Sequence, residues 1–303
     1  MTPAYTAPFD AVAAKYDETF THSLIGWAQR HATWRELDRA FRPGQRVLEL
    51  NCGTGIDAVH LADRGVEVVA CDVSPRMIEV ARQRLRRTAP RATIDFRVLA
   101  TEEIAELQGT GPFDGAFSNF AGLNCVLNLP FVASNLAPLL KPGAPAVLCF
   151  AGRYVGWEAL WYLLRGNPRK AFRRLQKSPL AARIAEGVSV EIHYPSVREV
   201  GRIFTPEFRL RRWKGVGVAV PPSYLEPHAM RFPRVMGVLE GIDRMAGRCP
   251  LVRGLADHVL LTFERTVAPP FRAARGSAAV SAASGQDARA PWCTGLTPGA
   301  TKR

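Results

Sequence analysis

Two rhythms of apolar residues alternate between Pro43 and Phe150. Short, nearly continuous apolar runs at 46–50, 66–71, 93–98, 113–118 and 144–150 read as buried strands. Between them, apolar positions recur at helical spacing over 56–64, 75–87, 102–107 and 131–140. This order predicts a mostly parallel sheet with helices on both faces, a doubly wound α/β fold. Local punctuation agrees with it. Ser74 can cap free N–H groups and Pro75 sits where a helix needs no donor. Lys141-Pro142-Gly143 forms a turn ahead of the fifth run.

Different patterns flank this block. Residues 1 to about 41 read as helical, with apolar positions at Leu24, Trp27, Ala28, Trp34 and Leu37. A basic, aromatic, helical insertion is expected over about 151–187, after the fifth strand. Strand-like runs return at 188–193, 208–220 and 258–264, enough to bring the sheet to seven strands. From 267 to 303 the chain is Ala, Gly, Ser, Pro and Arg, a composition expected to stay disordered because it offers little apolar surface to bury. Boundaries at 1–42, 43–266 and 267–303 follow.

Composition adds limits more than identity. The chain has 303 residues, 47% of them apolar and 22% charged, which suits one large α/β domain or two small ones. Its 40 Lys and Arg against 27 Asp and Glu give a net charge of +13. That charge favours anionic partners without choosing among nucleic acid, lipid headgroups and phosphorylated substrates. Cys52, Cys71, Cys125, Cys149, Cys249 and Cys293 lack metal-ligand spacing, so reduced thiols and no metal site are expected. Asp10, Asp17 and Glu18 interrupt the first twenty residues, which contain no signal-like apolar core. No run reaches the ~20 apolar residues that span a bilayer. A cytoplasmic protein is expected, at most peripheral to a membrane.

The segment carrying the chemistry is Glu49-Leu50-Asn51-Cys52-Gly53-Thr54-Gly55-Ile56, a strand running into a glycine turn and then a helix. Glycine lets the backbone turn sharply and lets a ligand approach closely. Asn51 is among the residues that best tolerate positive φ. A dinucleotide loop needs a final glycine where Ile56 stands, so a nicotinamide or flavin site fits poorly. About twenty residues on, Asp72 ends the second strand, followed by Val73.

These positions resemble the E-x-G-x-G-x-G loop and ribose-binding acid of class I S-adenosylmethionine-dependent methyltransferases, with Asn51 in place of the first glycine. The resemblance implies a Rossmann-like fold and S-adenosylmethionine as cofactor. It implies cofactor contacts at Glu49, Asn51, Cys52, Gly53, Thr54, Gly55, Asp72 and Val73. Phe9-Asp10, Tyr16-Asp17 and Phe20-Thr21 are similar to the F-D-x-x-A-x-x-Y-D pattern that precedes this domain in small-molecule methyltransferases. There the N-terminal helices form a lid, and the matching Tyr16 would close over the methionine end. Family members carry an adenine-binding acid where Ala100 stands here, which leaves Thr101 and Glu102 for the adenine. Asn119, after the fourth strand, would lie beside the methionine moiety.

Methyl transfer from a sulfonium needs alignment, and a base only when the acceptor must lose a proton. Candidate catalytic groups are His193, Tyr194 and Tyr154, with His258 beside Asp257 a further one; each also reads as an ordinary strand end or turn. Asn119 and Asn124 could orient a polar acceptor or merely brace loops. Asn119-Phe120-Ala121-Gly122 lacks the N-P-P-Y signature of adenine methylation. Trp157, Leu160, Trp161 and Leu164 form a helical stripe followed by Arg165, Arg169, Lys170, Arg173, Arg174 and Lys177. Packing explains the stripe. A lipid or isoprenoid acceptor met at an anionic membrane, through residues 157–177, is the sharper reading. Val218 to Tyr224 would add a pocket wall. The expected function is methyl transfer to a small, lipophilic acceptor. An RNA-modifying methyltransferase rests on charge alone, with no recognisable RNA-binding module. A catalytically silent cofactor-binding protein rests on Asn51 and Ala100.

Overall fold

Alternate residues of the two central strands enter different cores, as a strand covered on both faces requires. In β1 (Arg46–Leu50) and β2 (Glu67–Asp72), Leu48, Leu50, Val69 and Cys71 point to one core and Val47, Val68 and Ala70 to the other. The computed structural model describes residues 7–89, 92–176 and 179–267. The tail expected over 267–303 lies, but for Val267, outside these residues, as do Lys177 and Cys293.

The other sheet strands are β3 (Ile94–Val98), β4 (Gly115–Ser118) and β5 (Pro145–Ala151). A hairpin, β6 (Leu180–Ala185) and β7 (Val188–Ile192), comes before β8 (Phe208–Val216) and β9 (His258–Arg265). The seven-stranded sheet has the order β3-β2-β1-β4-β5-β9-β8. Its first five strands pair in parallel, and β9 is antiparallel to both neighbours. The predicted Rossmann-like α/β fold is therefore what forms.

Helices α1 (Leu24–Ala40), α2 (Ile56–Asp63) and α3 (Pro75–Thr88) accompany the first half of the sheet. Next come α4 (Leu129–Leu139), α5 (Gly156–Leu163) and α6 (Pro168–Ala171). The series ends with α7 (Val197–Ile203), α8 (Glu226–Ala229) and α9 (Pro233–Ala246). Ser74 caps α3 as expected, its Oγ accepting from Met77 N at 3.0 Å.

Four expectations need correction. The insertion is not helical to 187: residues 180–192 alternate apolar and polar around Gly187 at φ 70°, so they close into a hairpin separate from the main sheet. The run at 188–193 therefore belongs to that hairpin, not to the seven strands. Residues 101–107 wind as a 3₁₀ helix. The stripe on α5 divides: Trp157 and Trp161 pack inward against a small core with α1, α8 and α9, while Leu160 and Leu164 are exposed. Among the described residues, no helix is long and apolar enough to cross a membrane.

Candidate active site

Strand order reverses between β1 and β4, and a crevice opens there at the strands' carboxyl ends, the usual ligand position in such sheets. The chain leaves β1 through three left-handed residues, Asn51 (φ 55°), Gly53 (φ 54°) and Gly55 (φ 71°). The two glycines serve different ends. A Cβ on Gly55 would lie 2.7 Å from the Ala81 methyl and 2.9 Å from the Phe96 ring, so its absence permits close packing of α2 on α3 and β3. A Cβ on Gly53 would meet nothing within 4 Å, because this residue faces the crevice. Asn51 is accommodated by Gly122 across the crevice, where a Cβ would come within 2.3 Å of the Asn51 Cβ. Ser118 Oγ donates to Asn51 Oδ1 at 3.3 Å.

Asp72 ends β2 in the crevice. Its Oδ2 accepts from Gly53 N at 2.8 Å and its Oδ1 from Ser74 N at 2.9 Å. Burial pushes its pKa up, against the lowering effect of those two N–H groups. Each carboxylate oxygen retains acceptor capacity for a ligand hydroxyl. Glu49 lies behind the loop, buried, with Oε2 unpartnered, and burial holds its pKa well above the usual carboxylate range.

The N-terminal segment is fastened over this loop by two aspartates. Asp10 accepts from the Ser74 hydroxyl and from Arg76 N, at the start of α3. Asp17 Oδ1 accepts from Thr54 Oγ1 at 2.7 Å, and Asp17 Oδ2 pairs with Arg84, which also donates to the Thr54 carbonyl. Tyr16 is thereby brought to the crevice, where burial raises its pKa to about 12.

Of the residues expected to meet the cofactor, Tyr16, Asn51, Cys52 and Gly53 line one cavity with Thr54, Asp72, Val73 and Asn119. Glu49, Gly55, Thr101 and Glu102 do not line it. Met77 and Cys125 line it as well. Sequence reasoning missed Arg30 and Asp57. Arg30 is 3% exposed on α1 and pairs with Asp57 Oδ1 at 2.7 Å, an oxygen that also accepts from Trp34 Nε1 at 2.6 Å. An arginine on the apolar side of α1, with an aspartate in the first turn of α2, was the available signal.

The cavity contains polar groups waiting for a partner. Both amide atoms of Asn119 are buried and unpartnered, as is Arg30 Nε. Phe120 and Ala121, which follow Asn119, hold positive φ of 51° and 65° without being glycine. Such strain concentrates at ligand sites. Orphaned amide atoms, a bare glycine backbone and a strand-end carboxylate fit a ligand with ribose hydroxyls and an amino-acid end.

A second cavity of about 200 Å³ adjoins the first, and Tyr16 and Phe120 line both. Its other walls include Tyr194, Tyr224, Arg174, Asp257 and His258. Of the four catalytic candidates, Tyr194 and His258 reach it, Tyr194 beneath the Arg174 guanidinium at 5.1 Å. His193 faces a separate hollow, its backbone clamped by Asn124, and Tyr154 is 53% exposed. Asn124 is a brace: its Nδ2 donates to His193 O and its Oδ1 accepts from Ala151 N. Arg173 and Arg174, expected on a basic surface, pair with buried Glu158, and Arg174 also pairs with Asp257. Pro222, Ser223 and Tyr224 do form a wall.

Comparison with known proteins bears on the identity of this crevice. A sequence model described as a methyltransferase domain matches residues 47–143. A demethylmenaquinone methyltransferase of Clavibacter sepedonicus is 36% identical over 152 residues, 48% of this chain and 56% of that one. Another, of Renibacterium salmoninarum, is 32% identical over 189 residues, 60% of this chain and 75% of that one. The chain belongs to the class I S-adenosylmethionine-dependent methyltransferases. A solved S-adenosylmethionine-dependent methyltransferase from Methanosarcina mazei shares the fold, with TM-score 0.52 and 16% identity over 77% of this chain and 98% of that one. The match to the Clavibacter relative spans little more than half of that protein. S-adenosylmethionine is the methyltransferase's cofactor.

Proposed function

We propose that this methyltransferase alkylates a lipophilic, quinol-type aromatic acceptor bound in the cavity beyond Tyr16. The observation that carries the reading is the meeting of two cavities at Tyr16 and Phe120, one lined by the glycine loop and Asp72, the other by aromatic rings together with Arg174, Asp257 and His258. In this reading Asp72 takes the ribose hydroxyls, with the adenine lying along Val73, Met77 and Cys125. Arg30 and Asn119 serve the amino-acid end, and the segment carrying Tyr16 acts as a lid. The cofactor supplies a methyl group on sulfonium sulfur; the protein aligns the acceptor with it and excludes water. Relatives named as demethylmenaquinone methyltransferases support an acceptor of this class.

Peripheral contact with an anionic membrane belongs to the same proposal. Leu160, Leu163 and Leu164 are exposed on and just past α5, with Arg165, Arg169 and Lys170 close by. On α9, Val235, Val238, Ile242 and Met245 make a second outward apolar stripe, each about half or more exposed, near Arg231, Arg234, Arg244 and Arg248. Apolar faces edged with cations suit an interface rich in anionic lipid.

The test is methyl transfer from labelled cofactor to a reduced short-chain demethylated naphthoquinone, with flotation on vesicles with and without phosphatidylglycerol. Transfer to the quinol and flotation only with the anionic lipid are expected. Cofactor binding without transfer to any quinol would overturn the acceptor assignment, and equal recovery on neutral vesicles would overturn the anionic contact.

A further inference from the structure

The imidazole on the wall of the acceptor cavity is His258, the first residue of β9. It pairs opposite Ala151 at the end of β5, so its side chain emerges at the edge of the sheet where both cavities open. The ring meets Phe120 edge-on, with centroids 5.6 Å apart. Nδ1 is buried without a hydrogen-bond partner and lies 3.5 Å from Asp257 Oδ2, which leaves Nε2 for the cavity. Asp257 is itself fixed: Oδ1 accepts from Arg174 Nη2 at 3.2 Å and Oδ2 from Gln29 Nε2 at 3.3 Å. A histidine with one nitrogen toward a fixed carboxylate and the other toward a cavity is oriented to take a proton there.

The surrounding charges keep that nitrogen free to accept. Burial and the Arg174 guanidinium lower the His258 pKa, Asp257 raises it, and the result lies below the usual imidazole value. Burial pushes Asp257 up, but His258, Arg174 and Gln29 outweigh it and hold the carboxyl below its ordinary range. Arg174, from the turn after α6, is shared with Glu158 of α5 at 2.7 Å. The remaining titratable groups around the cavity are Tyr16 from the N-terminal segment, Tyr194 after β7 and Tyr224 before α8. All three phenols have raised pKa values through burial, so none competes as a base near neutrality.

We propose that His258, oriented by Asp257, is the general base that removes the hydroxyl proton of the acceptor, an assignment that rests on the quinol reading above. The O–H proton passes to Nε2, and its electron pair makes the acceptor nucleophilic at oxygen or at the conjugated ring carbon. That pair forms the bond to the methyl carbon as the methyl–sulfur bond breaks onto sulfur. His258 then returns its proton to solvent; after attack by carbon, the ring C–H proton follows it to water and the aromatic ring is restored.

The test uses the full chain, with His258→Asn, His258→Gln and Asp257→Asn. For the wild type, kcat/KM with the quinol should fall as pH drops through the His258 pKa. Both His258 variants should lose about a hundredfold or more in kcat together with that acidic limb. Their calorimetric affinity for S-adenosylhomocysteine should stay within about twofold, since the proposal gives His258 no cofactor contact. Circular dichroism selects whichever variant folds as the wild type. A second readout needs no turnover: ring NMR of the resting protein should show His258 protonated on Nδ1 and titrating below its usual range. Asp257→Asn should move that titration lower still. A folded His258 variant with normal cofactor affinity, an intact acidic limb and kcat within threefold of wild type would overturn the proposal. So would a ring protonated on Nε2, or a titration that Asp257→Asn leaves in place. Should the wild type methylate no quinol, the quinol reading fails, whereas the tautomer and titration still decide the orientation of His258.

Discussion

Asn51 occupies a left-handed position that glycine would fill without strain, and its side chain fits because residue 122 has none. The two positions are therefore coupled. Gly122→Ala should destabilise the chain by about 1–3 kcal/mol through overpacking. In an Asn51→Gly background most of that penalty should vanish, because the colliding atoms are those of the Asn51 side chain. A double-mutant cycle by urea denaturation measures this, and additive penalties would refute the coupling. Asp72→Ala should weaken S-adenosylhomocysteine binding by ~1.5–3 kcal/mol, roughly tenfold to a hundredfold, read by calorimetry. Asp72 was legible in the sequence because its role needs only a carboxylate at a strand end. Arg30 was not, because its partner Asp57 is 27 residues away.

At the scale of elements, the N-terminal segment is held to the glycine loop by a few polar contacts more than by burial. Asp17 ties Thr54 and Arg84 together, and both members of the Asp17–Arg84 pair are largely buried. Asp17→Asn keeps the shape and removes the charge. It should increase proteolytic cutting between Val12 and His22 and lower cofactor affinity about tenfold, a loss of roughly 1.5 kcal/mol. Unchanged protection would show that the contact does not hold the segment. Elements with a clear period were readable in advance: the five parallel strands, α2, and α3 with its Ser-Pro start. The β6–β7 hairpin was hidden because Arg183 and the small residues of β6 resemble the basic helix before it. α9 was hidden because Gly237, Gly241 and Pro233 disguise a helix whose inner face packs on α1.

For the molecule as a whole, the buried carboxyl of Glu49 couples stability to pH. A carboxyl whose folded pKa exceeds its unfolded value of about 4.5 holds an extra proton in the folded state. The associated stability is therefore present at low pH and is lost as pH rises from there toward the folded value. Glu49→Gln removes this dependence. The variant's melting temperature should exceed that of the wild type increasingly from pH 5 to 8. A pH-independent difference between the two proteins would refute the account of Glu49.

The sequence by itself determined the strand-helix alternation, the glycine loop, Asp72 and hence the cofactor class, because each depends on residues adjacent in the chain or one βα unit apart. Tertiary structure alone decided that Gly122 makes room for Asn51, that Arg30 joins Asp57, and that His258, Tyr194 and Phe120 share a wall. Those groups come from elements up to a hundred residues or more apart, and their meeting depends on sheet order and loop packing, which no local period records.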